Sequence, residues 1–280
     1  MLFMELVNKY LEKFKDNKYS KIINYLITII SLYYLFIKFR NIEITIFQDL
    51  NPLLSVLYGL LVFLSLLLQS LAWSYLFKEG NKSHYSKVWI NSNIGKYIPI
   101  KVGVILNRYI KLEEDSLKNI TKNYILEQSL ILGTSLFAAC LFLFIESLFI
   151  CFTIFILLLL TTRGLRGLSP NLKKALYIYY ISTCLNIIFL ALLSVEIFGI
   201  KDLELVSIYI FSTIIGMFIF TSPAGIGVRE AVFLYFTDGT IVTNNVLTFL
   251  FITRAMYILC DILILGYGTL FLNDEKKSNN

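Results

Sequence analysis

Charged side chains inside apolar runs are where chemistry is first sought in this chain, because an ion in a bilayer costs on the order of a few kcal/mol. Arg229 and Glu230 stand together at the head of VREAVFLYF, just after the two glycines Gly225 and Gly227. A helix N-terminus offers unbonded amides and the positive end of its dipole, and an arginine beside it completes a site for a phosphate. Glu230 can balance Arg229 while such a site is empty, or the two can form a purely structural clasp. Arg254 and Asp261 stand seven residues apart on one helix face with Tyr257 between them. They either line a polar path or lock neighbouring helices together. Lys96, Lys101 and Arg108 form a basic group that suits either an anionic leaflet, at about 1 kcal/mol per basic residue, or a substrate. Glu127 and Glu146 fall near the ends of apolar runs, where membrane edges are expected.

Other chemistries find no matching residues. The single histidine, His84, lies in a polar stretch, and Cys140, Cys151, Cys184 and Cys260 are scattered through apolar runs without CxxC spacing. Such cysteines read as small core residues rather than as a metal site or disulfides. No Ser-His-Asp set, clustered acids or P-loop is visible, so hydrolysis and ATP-driven pumping have no machinery. No metal, no cofactor and no enzymatic activity are expected.

These residues must be positioned by helices in lipid. Hydrophobic residues make up 57% of the 280 and charged ones only 16%, with a mean hydropathy of +0.73. A soluble domain keeps about a quarter of its residues charged. The apolar runs are continuous, not alternating, so they are helical spans and not barrel strands. The expected spans are Ile22–Phe39, Pro52–Phe77, Lys122–Ile145, Leu148–Thr162, Ala175–Phe198, Leu203–Phe220 and Val246–Leu272. Ile120–Thr162 would be about 64 Å of helix, twice what a bilayer holds, so it must fold back near Glu146-Ser147. The net charge of +6 reads as a topology signal and not as a nucleic-acid footprint. With the N-terminus cytoplasmic, most basic residues fall inside and the tail falls outside. No cleavable signal peptide is seen. The expectation is a single multi-pass domain of the cytoplasmic membrane. Residues 1–21 form a cytoplasmic segment, 22–145 a first half, 148–162 a connector span, 175–272 a second half and 273–280 a tail.

Two stretches are too broken for ordinary spans and too apolar for ordinary loops. In 91–110, NSNIGKYIPIKVGVILNRYI, Pro99 disfavours helix before it and Gly95 and Gly103 loosen the backbone. In 221–236, TSPAGIGVREAVFLYF, Ser222 and Pro223 resemble a helix start, Gly225 and Gly227 permit a tight turn, and Val228–Phe236 gives about 13 Å of helix. Both are either cytoplasmic loops with a surface helix or re-entrant segments. Each is preceded by two spans and followed by one, and interrupted segments at matching places in two halves point to a transport site.

GKYIPIKVGVILNR resembles the signature of the lysylphosphatidylglycerol synthase transmembrane region, also described as a flippase-like domain. SPAGIGVREAVFLYF is similar to that family's Ser-Pro-Gly-Gly-(aliphatic)-Gly-x-Arg-Glu-Ala motif. Leu126-Glu127-Gln128 resembles its Glu-Arg pair, and Thr253-Arg254 its late arginine. Ile100, Ala224 and Gln128 depart from the pattern, whereas Arg108, Arg229 and Glu230 keep it. The resemblance implies an all-α polytopic membrane protein of about seven helices, in two pseudo-repeated halves with two re-entrant segments. It also implies a flippase-like protein that binds and translocates an anionic lipid, either a phospholipid or a polyprenyl-phosphate-linked one. The few residues after Leu272 leave no place for the aminoacyl-transfer domain of larger members. Lys96, Tyr97, Arg108, Ser222, Gly225, Gly227, Arg229 and Glu230 would bind substrate, with Glu127, Arg254 and Asp261 as a polar path or structural pair. Two other functions stay open: a non-transporting partner of a lipid- or glycan-modifying enzyme, and an intramembrane transferase.

Overall fold

The computed structural model describes residues 51–77, 80–97, 102–112, 116–144, 169–199, 203–218, 225, 227–237 and 243–271. Expected spans Ile22–Phe39 and Leu148–Thr162, segments 1–21 and 273–280, and Ser222, Pro99, Lys101 and Pro223 lie outside them. The described elements are all helical: α1 (Pro52–Ser74), α2 (Lys82–Asn93) running into a 3₁₀ turn (Ile94–Tyr97), α3 (Val102–Lys111) and α4 (Leu117–Phe144). They continue with α5 (Pro170–Phe198), α6 (Leu203–Phe218), α7 (Val228–Thr237) and α8 (Thr243–Phe271).

The boundaries follow local chemistry. Asn51 accepts a hydrogen bond from the Leu53 amide at 2.9 Å and Pro52 opens α1, a cap followed by a proline whose missing N–H would have had no partner. Ser169 and Pro170 repeat the device at α5, and Gly199, left-handed at φ +70°, closes that helix. Among the described residues, three helices are long and apolar enough to cross a membrane: Pro52–Ser74, Pro170–Phe198 and Asn245–Leu270. Their outer faces carry Val56, Leu60, Ile262 and Leu263 exposed, an arrangement costly in water and natural in lipid.

One helix was hidden in the sequence. The stretch before Asn91 reads as a polar loop, yet α2 begins at Lys82, capped by the Asn81 side chain on the Ser83 amide at 2.9 Å. The helix is held by burying Ser86, Val88, Trp89, Ile90 and Ser92.

Packing gathers these helices around a polar centre. α1 lies along α5 and also meets α2 and α8, while α6 lies against α4 and α7. Between α1 and α5, Gln69 donates to Ser182 Oγ at 3.1 Å, and Ser65 Oγ donates to Asn186 Oδ1 at 3.1 Å. Interhelical bonds of this kind are worth roughly 0.6–2 kcal/mol in a membrane. The aromatic rings of Tyr209, Phe233 and Phe249, with centroids 5.4–5.8 Å apart, fasten the short helix α7 between α6 and α8.

Candidate functional site

The first interrupted segment is an antiparallel helical hairpin. Asn107 reaches the Asn91 carbonyl at 3.5 Å, Arg108 Nε donates to Ser92 Oγ at 3.0 Å, and Gly95 meets the backbone of Gly103. A Cβ on Gly95 would stand 2.7 Å from the Gly103 carbonyl carbon and the Val104 nitrogen, so the arms approach this closely only with glycine there. The hairpin delivers Arg108 into the bundle, where its Nη1 donates to Glu127 of α4 at 2.5 Å and Nη2 at 3.3 Å. Trp89 Nε1 donates to the same carboxylate at 2.5 Å, and the guanidinium lies over the Trp73 ring at 3.9 Å. Both charged residues are 2% exposed. Arg108 and Glu127 are therefore both enclosed by protein. A bidentate pair with every oxygen engaged is what makes such burial tolerable.

The second interrupted segment ends in a mirror-handed turn. Gly225 and Gly227 have φ of +73° and +88°, the region that glycine enters without strain. Gly225 presses on Gly216 of α6, where a Cβ would stand 3.6 Å from Gly225 Cα and 3.3 Å from Arg229 Cβ. Glu230, in the first turn of α7, folds back to accept from the Gly227 amide at 2.7 Å, one half of a capping box. Its other oxygen accepts from Arg254 Nε of α8 at 2.6 Å. Arg229 and Glu230 make no ion pair with each other, since neighbouring residues on a helix do not face each other.

Arg229 points elsewhere. Its guanidinium lies over the Tyr209 ring at 4.0 Å, and the residue is 8% exposed. Its Nε is buried with no hydrogen-bond partner among the described residues. No ion pair among those residues includes Arg229 either.

Asp261, two turns beyond Arg254 on α8, serves the first hairpin. It accepts from Asn93 Nδ2 at 2.9 Å, from Lys96 Nζ at 2.7 Å and from the Tyr97 hydroxyl at 2.5 Å. Arg254 and Asp261 thus each bond another helix.

These networks surround one cavity of about 320 Å³, near the small end of ligand pockets. Lys96, Tyr97 and Arg108 from the first interrupted segment line it, as do Gly225 and Arg229 from the second. Glu127 and Arg254 are on the wall, whereas Glu230, Asp261 and Gly227 act from behind it. Sequence reasoning missed the uncharged wall, including Gln69, Tyr179, Asn186 and Tyr209. Polar residues within apolar spans were the available signal for Gln69 and Asn186. For the tyrosines there was none, because aromatic residues are ordinary in apolar helices.

No family model, curated protein or solved structure matches the chain. What the fold and site define is a helical membrane protein whose central cavity holds an arginine with no bonded counter-ion among the described residues.

Proposed function

We propose that this chain is a flippase-like protein of the cytoplasmic membrane. It binds the anionic head group of a phospholipid or polyprenyl-phosphate-linked lipid in its central cavity and carries it across the bilayer. One observation carries the reading. Four basic residues, Lys96, Arg108, Arg229 and Arg254, line the cavity. The carboxylates of Asp261, Glu127 and Glu230 bond Lys96, Arg108 and Arg254 respectively, and among the described residues none bonds Arg229. A buried guanidinium of this kind is expensive unless an anion joins it. It also stands in the first turn of α7, where helix amides and dipole favour phosphate.

Translocation also needs a route, and a wall built from both interrupted segments supports one, because re-entrant backbone is tolerated where it lines a cavity. The packing of α6 on α4 and α7 parallels that of α1 on α8 and α2. This parallel supports two pseudo-repeated halves, while the layout of about seven spans with the N-terminus cytoplasmic rests on the apolar runs and the placement of basic residues in the sequence.

The test is transport by the full chain in proteoliposomes that hold a fluorescent phosphatidylglycerol. Access of a membrane-impermeant quencher to inner-leaflet lipid reports translocation. Wild type should move the lipid and Arg229→Ala should not. Equal rates for the two proteins, or for wild type and protein-free vesicles, would refute the proposal.

A further inference from the structure

Resting on that reading, we infer that the site selects a phosphodiester head group with one negative charge and neutral hydroxyls, and rejects head groups that carry an ammonium. The charge balance sets the first half. Among the described residues the cavity has four cations against three carboxylates, which leaves one positive charge to be matched. A phosphodiester supplies one negative charge. A phosphate monoester supplies between about 1.5 and 2 at neutral pH, so part of its charge would be buried without a partner.

The carboxylate oxygens set the second half. Glu127 Oε1 accepts from Trp89 and Arg108, and Oε2 from Arg108. Glu230 Oε1 accepts from Arg254 and Oε2 from the Gly227 amide. Asp261 Oδ1 accepts from Asn93 and Lys96, and Oδ2 from Tyr97. Each oxygen of these three carboxylates already accepts a hydrogen bond, so an incoming ammonium would compete with bonds already made and would meet Lys96, Arg229 and Arg254. The remaining wall is uncharged and in part polar. Gln69, Ser135, Thr183, Asn186 and Thr213 line it. The buried hydroxyls of Tyr179 and Tyr209 have no hydrogen-bond partner among the described residues. Glycerol or sugar hydroxyls suit such a wall.

The experiment uses soluble head groups on the full chain in neutral detergent, with binding read by calorimetry. Glycerophosphoglycerol should bind, while glycerophosphoethanolamine and glycerol 3-phosphate should each bind about tenfold or more weakly. Ser135→Asp, which puts a carboxylate on the wall, should shift preference towards the ethanolamine compound. Arg229→Gln should weaken all three. Comparable affinities for the three compounds, all lowered by Arg229→Gln, would overturn the selectivity and leave the anion site standing. So would tighter binding of either disfavoured compound. Binding that is absent throughout, or indifferent to Arg229→Gln, would remove both.

Discussion

Glu230 bonds Arg254 of the next helix at 2.6 Å while Arg229, its neighbour in sequence, faces the cavity. The two halves of one Arg-Glu dipeptide thus do different work, and substitution can separate them. Glu230→Gln breaks a buried ion pair and weakens the fold of α7 on its turn. A loss of about 3–5 kcal/mol is expected for such a pair, read as a large drop in melting temperature in detergent. Arg229→Gln removes a charge with no bonded partner among the described residues and should leave melting nearly unchanged.

The Arg108–Glu127 pair is structural by the same reasoning. Glu127→Gln strands a guanidinium in the core and should cost about 3–5 kcal/mol. The double variant Arg108→Met with Glu127→Leu should recover most of that loss, since burying apolar groups needs no counter-charge. Melting temperatures of the three proteins check this. A double variant no better than the single one would assign Arg108 a role beyond packing.

The close approach of Gly95 to Gly103 makes a third prediction. Gly95→Ala puts a methyl group 2.7 Å from backbone atoms, so the hairpin must open, at about 1–3 kcal/mol. Cysteines replacing Asn91 and Asn107 should be joined rapidly by a short bifunctional reagent in the parent protein and slowly with Gly95→Ala. Equal rates would mean that the arms do not meet there.

The hydrophobic helices were legible because lipid demands long continuous apolar runs, although α5 begins at Pro170, five residues before the expected Ala175. The glycine pair 225/227 was legible as a turn for its conformational freedom. α2 was not, because its sequence is largely polar and the residues it buries, Ser86, Val88, Trp89, Ile90 and Ser92, include two serines. The ion pairs were not legible either. Arg108–Glu127 and Glu230–Arg254 join residues 19 and 24 positions apart, and no local periodicity links them. The sequence pointed to Arg229 through its place at a helix start. That no described carboxylate bonds Arg229 follows from the turn of Glu230 towards Arg254, which the sequence does not show.

The most direct measurement is native mass spectrometry of the full chain released from nanodiscs containing equal phosphatidylglycerol and phosphatidylcholine. Wild type should retain one phosphatidylglycerol, and Arg229→Gln, with its melting temperature unchanged, should retain none. Equal retention by the two proteins, or retention of phosphatidylcholine by wild type in the same proportion, would contradict an anion site at Arg229.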